Sequence, residues 1–427
     1  MQQRGRHRRR RRGRALRAVL TGTALALTAA ATMISASQAT VSNDPGALKP
    51  LTTSAELGKL QLQEHLEKQV TLDRLASAMG RPVGVDAVLL SADRTLRDAA
   101  DCTSAEKRAL PVEPAATRAY CWDSRTTADR DWTPRAVTTS GDADDDGLWG
   151  QHRVILSGWT DSGRGLARVA FVNADDPDRL TYTWALLAVP TDGGRDYRGL
   201  VSNVSGMVWY QNKLLVTTTA GNSDALYVYD MNRIQRATVA AAAIGRVAGG
   251  WSAHGYRYVL PAVGAYRLTG GDSAARPQSI SLDRSTAPDS LVASEETPAG
   301  SDRSARLWRY SFSADPSRGG LLAADPAGRV TADEAYETKA DGIRGVLSYR
   351  SDWYVGRAGE ARTEHGSMWR QDVGGAKATR CGADGTRHCW TEQTQSFSYW
   401  AKTGELWSVS GRMLFALPLS SIDRSLG

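Results

Sequence analysis

The sequence predicts a mainly β fold, a β-propeller of about five blades with a small N-terminal helical accessory region. Three observations lead there. Every Trp, Tyr and Phe lies at or beyond Tyr120, and aromatic side chains supply the large packing areas of a core. Beyond that point short apolar runs with two-residue alternation are separated by Gly, Asp, Ser and Pro clusters, the pattern of many short strands. Within those runs one loose motif recurs, and a repeat outranks any single element in deciding a fold.

The chain begins with a segment that is read for transport. Residues 4 to 17 carry nine arginines and no acid, then run into the apolar stretch Ala15 to Ile34 and the small-residue sequence Ser37-Gln38-Ala39. A cationic start, an apolar centre and small side chains before the cut make a signal peptide over residues 1–39, removed on export by the general secretory route. An uncleaved anchor is the alternative, since about 20 apolar residues can just span a bilayer. Thr21, Thr23, Thr28 and Thr32 dilute the stretch, so no stable membrane span is expected after cleavage. Removal of the nine arginines changes the electrostatics: 53 Lys+Arg against 46 Asp+Glu becomes 44 against 46, a net charge of −2. That balance does not support nucleic-acid binding, which needs a basic face to meet phosphates.

Residues 40–119 form the leader and helical accessory region. Residues 40 to 50 read as a disordered leader. Thr53-Ser54-Ala55-Glu56 has the form of a capping box, so a helix is expected to start there. Leu62, Leu66 and Val70 at four-residue steps, with Leu72, Leu75 and Met79, extend the helix until Gly80-Arg81-Pro82 stops it. A second helix is expected from Val85 to about Ala100. The cysteines then tie this region to the rest. Four cysteines in an exported chain allow three pairings, and Cys102 with Cys121 and Cys381 with Cys389 close short local loops. Their spacings do not match the short ligand pairs of structural zinc sites.

Residues 120–427 are expected to be all-β. The best runs are 153–159, 167–172, 182–189, 206–218, 225–229, 256–260, 279–282, 290–293, 306–312, 346–355 and 406–417. The repeat is clearest in Gly206-Met-Val-Trp-Tyr-Gln-Asn-Lys-Leu-Leu-Val followed by Leu226-Tyr-Val-Tyr-Asp. Gly345-Val-Leu-Ser-Tyr-Arg-Ser-Asp-Trp-Tyr-Val followed by Ser367-Met-Trp-Arg has the same form, as has Ser396 to Val409 followed by Arg412 to Leu417. Looser copies begin near Ala136 and near Ser279. Five copies at intervals of roughly 50 to 75 residues suit a ring of small antiparallel sheets. A β-sandwich, with alternation but no repeat, is the competing architecture.

Leu148-Trp-Gly-Gln-His-Arg-Val-Ile-Leu-Ser-Gly-Trp159, His254-Gly-Tyr-Arg-Tyr-Val-Leu-Pro261 and Ser281 to Ser290 resemble a group of secreted bacterial β-propeller-like proteins of uncharacterised function. The resemblance covers about residues 120 to 427. It implies the fold and an extracellular location, and it transfers no catalytic residues.

Asp142, Asp144 and Asp146 with Gly147 follow positions 1, 3, 5 and 6 of a calcium loop, so calcium is the one cofactor suggested. Arg153 stands where the closing Glu belongs, and a solvated acidic loop is the bland reading. No G-x-S-x-G elbow occurs, and the mature histidines, His65, His152, His254, His365 and His388, make no metal signature. His254 is the most interesting, because Gly255 lets backbone approach closely beside it, although such a histidine is commonly structural. Glycoside hydrolysis needs two carboxylates, for which Asp283, Asp289 and Asp341 are candidates; each also fits ordinary turn chemistry. Trp209, Tyr210, Tyr256 and Trp353 are the aromatic candidates for stacking on sugar rings, against the alternative that tryptophans pack sheet on sheet. No nucleotide, flavin, nicotinamide or haem motif occurs.

These readings lead to a secreted ligand-binding protein, with extracellular carbohydrate as the expected ligand. A polysaccharide hydrolase using axial carboxylates, and a non-catalytic envelope or protein-partner-binding protein, are the alternatives. Catalysis is not expected on the first reading.

Overall fold

In a computed structural model, residues 44–427 are described apart from 219–223, 272–273, 301–302, 360 and 362. The predicted signal peptide lies outside the described residues. The fold is mainly β, with 45% strand against 14% helix. All eleven predicted runs fall on strands, because alternating β-branched and aromatic residues suit a pleated, half-buried surface.

The strands assemble as successive antiparallel sheets. Trp132–Thr139, Val154–Asp161, Ala167–Asn173 and Thr181–Thr191 pair in chain order. Met207–Tyr210, Lys213–Thr217, Asp224–Asp230 and Tyr258–Leu268 do the same. So do Ser279–Asp283, Ser290–Ser294, Ala305–Ser311 and Glu334–Thr338. Ile343–Tyr349, Asp352–Arg357, Ser367–Asp372 and Gly375–Ala378 follow. The last sheet differs. Thr394–Trp400, Glu405–Ser410 and Met413–Pro418 take their fourth strand, Arg118–Cys121, from far earlier in the chain. Each repeat read from the sequence therefore supplies the first three strands of one sheet. The first strands lie side by side, and the Thr394 strand packs on the Trp132 strand as well as on the Ile343 strand.

One strand belongs to two sheets. Tyr258–Pro261 runs parallel to Ala185–Ala188, whereas the rest of that strand pairs antiparallel with the Asp224 strand. The first two sheets thereby join, and with five further short strands they make a single sheet of 13 strands.

Sheet faces meet through aromatic side chains. Trp122 sits edge-on to Trp159 and to Tyr182, each at 4.9 Å between ring centroids, a favoured geometry for π-systems. Glycine allows close approach between the last two sheets: a Cβ on Gly345 would lie 2.6 Å from the Phe397 ring, and one on Gly356 2.5 Å from it.

The first third of the chain departs from expectation in instructive ways. The Thr53–Glu56 capping box is present, but the helix it starts spans only Ser54–Gly58. Leu62–Leu66, expected on that helix, is a strand pairing with Gly264–Leu268. A free sheet edge offers backbone partners to every residue, while a short isolated helix is marginal. Helix resumes at Gln69–Met79 and buries Leu72, Leu75 and Met79. The second expected helix is confined to Val85–Leu89. Arg94–Thr95 and Arg97–Asp98 beyond it pair with sheet strands. Part of the expected leader is also ordered: Lys49–Pro50 pairs with Tyr336–Glu337 and Leu48 is buried. Both expected disulfides, Cys102–Cys121 and Cys381–Cys389, are formed. No helix among the described residues is long and apolar enough to cross a membrane.

Candidate functional site at the ends of the first strands

Neighbouring first strands run the same way. The Val346 N–H donates to Ser279 Oγ, and further along the Arg350 N–H donates to Ser285 Oγ. Their C-terminal ends, Tyr210, Asp283 and Tyr349, belong to one polar assembly together with Tyr399.

Asp142 lies in the short helix Ser140–Ala143 that follows the Trp132 strand. It is fully buried. Thr138 Oγ1 and Ser398 Oγ each donate to its Oδ2 at 2.7 Å, and Thr138 Oγ1 in turn accepts from the Trp209 N–H. Its Oδ1 has no hydrogen-bond partner. Burial pushes the carboxyl up to about 6, against the opposing pull of the two hydroxyls.

Arg284 connects this carboxylate segment to the next sheet. Its Nη2 donates to the Asp142 carbonyl at 2.8 Å, and its Nη1 ion-pairs with Asp145 and with Asp289 at 3.1 Å. The guanidinium sits 5.5 Å from the Tyr210 ring centre. Burial raises the Asp289 carboxyl above its ordinary range and pushes the Tyr210 hydroxyl up to about 12. Asp283 is completely enclosed and pairs with Arg309 at 3.1 Å. Arg309 Nη2 also donates to Ser348 Oγ at 3.0 Å.

Over this network opens a pocket of about 380 Å³, lined by Arg284, Ser285, Ser348, Tyr349, Arg350 and Tyr399 among others. The Tyr349 and Tyr399 rings stand 4.9 Å apart, tilted by 56°. Arg350 lies 5.0 Å from the Tyr349 ring. It shares a tight turn with Ser351, both in the left-handed region at φ +52° and +72°. Such turns favour Asn-Gly, so two side-chain-bearing residues here hold local strain at the pocket rim.

The structure distributes the sequence candidates unevenly. Asp283, Asp289 and Tyr210 belong to this network. Asp341 does not: it pairs with Arg357 just before the Ile343 strand. The seven residues of that strand separate it from the pocket by roughly 20 Å, whereas glycosidase carboxylates stand about 5 to 10 Å apart. His254 lies on a different pocket with Tyr256, and its Nδ1 is hydrogen-bonded to the Ala242 carbonyl at 2.8 Å. Trp209 and Trp353 are core residues, 0% and 1% exposed, so the structure corrects their reading as ligand-stacking faces. Alternation turned each inward to pack between sheets.

The expected calcium loop is divided. Asp142 is drawn into the interior, while Asp144 Oδ1 accepts from the Asp146 N–H and Asp146 Oδ1 from the Leu148 N–H. Among the described residues the one group of three potential metal ligands is Cys102, Glu106 and Cys121, whose two sulfurs are bonded to each other.

Tyr349, Tyr399, Arg284 and Arg350 were missed in the sequence reading, although a signal for the tyrosines was there. Gly206-x-x-x-Tyr210 and Gly345-x-x-x-Tyr349 place tyrosine at one repeat position, and Tyr399 stands one residue before the end of the corresponding run after Ser396. No protein-family model matches the chain, and no curated protein matches it.

Proposed function

We propose that the chain is a secreted five-bladed β-propeller that binds an extracellular carbohydrate at one end of its axis without turning it over. Five four-stranded sheets with adjoining first strands, and a last sheet completed by Arg118–Cys121, support the ring. The disulfides are compatible with an oxidising compartment, and the arginine-rich start supports export.

The Tyr349–Tyr399 pair is the observation that carries the binding reading. Two half-buried aromatic faces flanked by Ser285, Arg284 and Arg350 offer a sugar both a stacking surface and hydroxyl partners. The adjacent carboxylates are engaged by Arg284 and Arg309, which favours holding a ligand over protonating a leaving group.

A glycan array followed by a reducing-sugar assay tests this. Retention of a glycan, lost in Tyr349→Ala and Tyr399→Ala, with no product released, is the expected result. Release of reducing ends would replace it with hydrolysis. Silence in both assays would leave a partner-binding envelope protein as the better description.

A further inference from the structure

A second pocket, of about 430 Å³, opens away from the first-strand ends, between the segment at Arg94, the Thr181 strand and the turn at His254. Two of its aromatic walls, Trp184 and Tyr256, cover a buried cation. The Arg168 guanidinium lies 3.8 Å from the Trp184 ring centre and 4.0 Å from that of Trp132, a stacked position between indoles. Arg168 is 5% exposed. Its Nη1 donates to the Tyr256 hydroxyl at 2.7 Å, and its Nε has no partner. Among the described residues no carboxylate comes within ion-pair distance of it. Asp129 attracts it only at longer range.

An enclosed guanidinium without a paired anion is costly. At the rim, Arg94 is paired with Asp123 at 3.5 Å, whereas exposed Arg257, among the described residues, donates only to the Ser91 carbonyl. Asp93 is the single carboxylate on the pocket wall. Arg94, Arg168 and Arg257 stand there against Asp93 and Asp123, with Asp129 beyond ion-pair distance of Arg168, so among the described residues one cation is left without a paired carboxylate. His254 stands on the same wall at φ +55°, and side-chain-bearing residues held in that region concentrate at ligand sites.

We propose that this pocket is a second binding site, independent of the Tyr349–Tyr399 pocket, for a small ligand bearing a carboxylate or sulfate group. Arg257 meets the oxyanion directly. Tyr256 donates its hydroxyl to it, while Arg168 acts as a positioning residue, donating to the same oxygen from beneath and holding the phenol in place. Trp184 supplies an apolar wall for the rest of the ligand.

The test is calorimetric titration of the full chain with glucuronate, glucose and sodium sulfate, with tryptophan fluorescence as a second readout near Trp184. Glucuronate is expected to bind and glucose to bind at least about tenfold more weakly. Sulfate competing with glucuronate identifies the oxyanion as the recognised group. Tyr256→Phe and Arg257→Gln are each expected to weaken glucuronate about tenfold while leaving retention on the glycan array unchanged, which separates this site from the first. Arg168→Gln should weaken it likewise; should that variant unfold, Tyr256→Phe carries the test. Equal affinity for glucuronate and glucose, binding unaffected by both rim variants, or no binding of glucuronate and sulfate at all would overturn the proposal.

Discussion

Ser398 donates a hydrogen bond of 2.7 Å to Asp142 across 256 residues of chain, in an interior where, among the described residues, the other carboxylate oxygen has no hydrogen-bond partner. Thr138 is the second hydroxyl donor, and the Thr139 N–H adds a longer bond of 3.4 Å to the same oxygen. The bond joins the first sheet to the last at the level of their first strands, so one carboxylate's ionisation is coupled to how the two halves of the chain meet.

That coupling gives a pH dependence of definite sign. Burial raises the folded-state carboxyl from 3.8 to about 6, so between those values the folded protein binds more protons than the unfolded one. The contribution is fully present below about pH 4 and is lost as pH rises through about 6. The whole effect is about 3 kcal/mol. Urea denaturation from pH 4 to 7 should show this component in the native protein and lose it in Asp142→Asn. A stability that rises across the window because of Asp142 would contradict the assignment.

The contact between Gly345 and Phe397 admits no added methyl. Gly345→Ala should destabilise by about 1 to 3 kcal/mol, read from the urea midpoint, and Phe397→Leu in the same chain should recover part of the loss. An unchanged midpoint would mean that the two sheets are not packed this closely.

Arg309 and Asp283 form the most enclosed ion pair in the polar assembly, with side-chain exposures of 9% and 0%. Arg309→Met leaves a buried carboxylate uncompensated, a loss of about 3 to 5 kcal/mol. Asp283→Asn added to it should be markedly less damaging than additivity requires. A double-mutant cycle in chemical denaturation measures the coupling, and additive effects would show the pair to be incidental.

The two disulfides close segments of 19 and 8 residues. Replacing both cysteines of one pair by serine should cost about 2 to 3 kcal/mol each. Peptide mapping without reduction should recover the two local pairs. Any crossed pairing would refute the arrangement.

Much of the fold was legible because its signals are local. Two-residue alternation marks a strand wherever the strand ends up, which is why all eleven predicted runs are strands. The repeats could be read because each sheet is assembled mainly from consecutive residues. Leu62–Leu66 was misread for the opposite reason: its partner, Gly264–Leu268, lies some 200 residues away, and four-residue spacing of two leucines fits a strand as well as a helix. The functional pocket was half visible. Asp283, Asp289 and Tyr210 stood out as types, but Arg284 and Arg350 draw their meaning from neighbours on other sheets.

Composition and spacing alone therefore pointed to the mainly β class, the eleven predicted strand runs and the cysteine pairs, since each depends on residues close together in the chain. Tertiary structure decided which tryptophans were walls and which were core, which carboxylates carried a counter-charge, and that Asp142 lay inside. Burial and charge pairing are properties of surroundings, and the surroundings of Asp142 and Arg168 come from strands that only folding brings together.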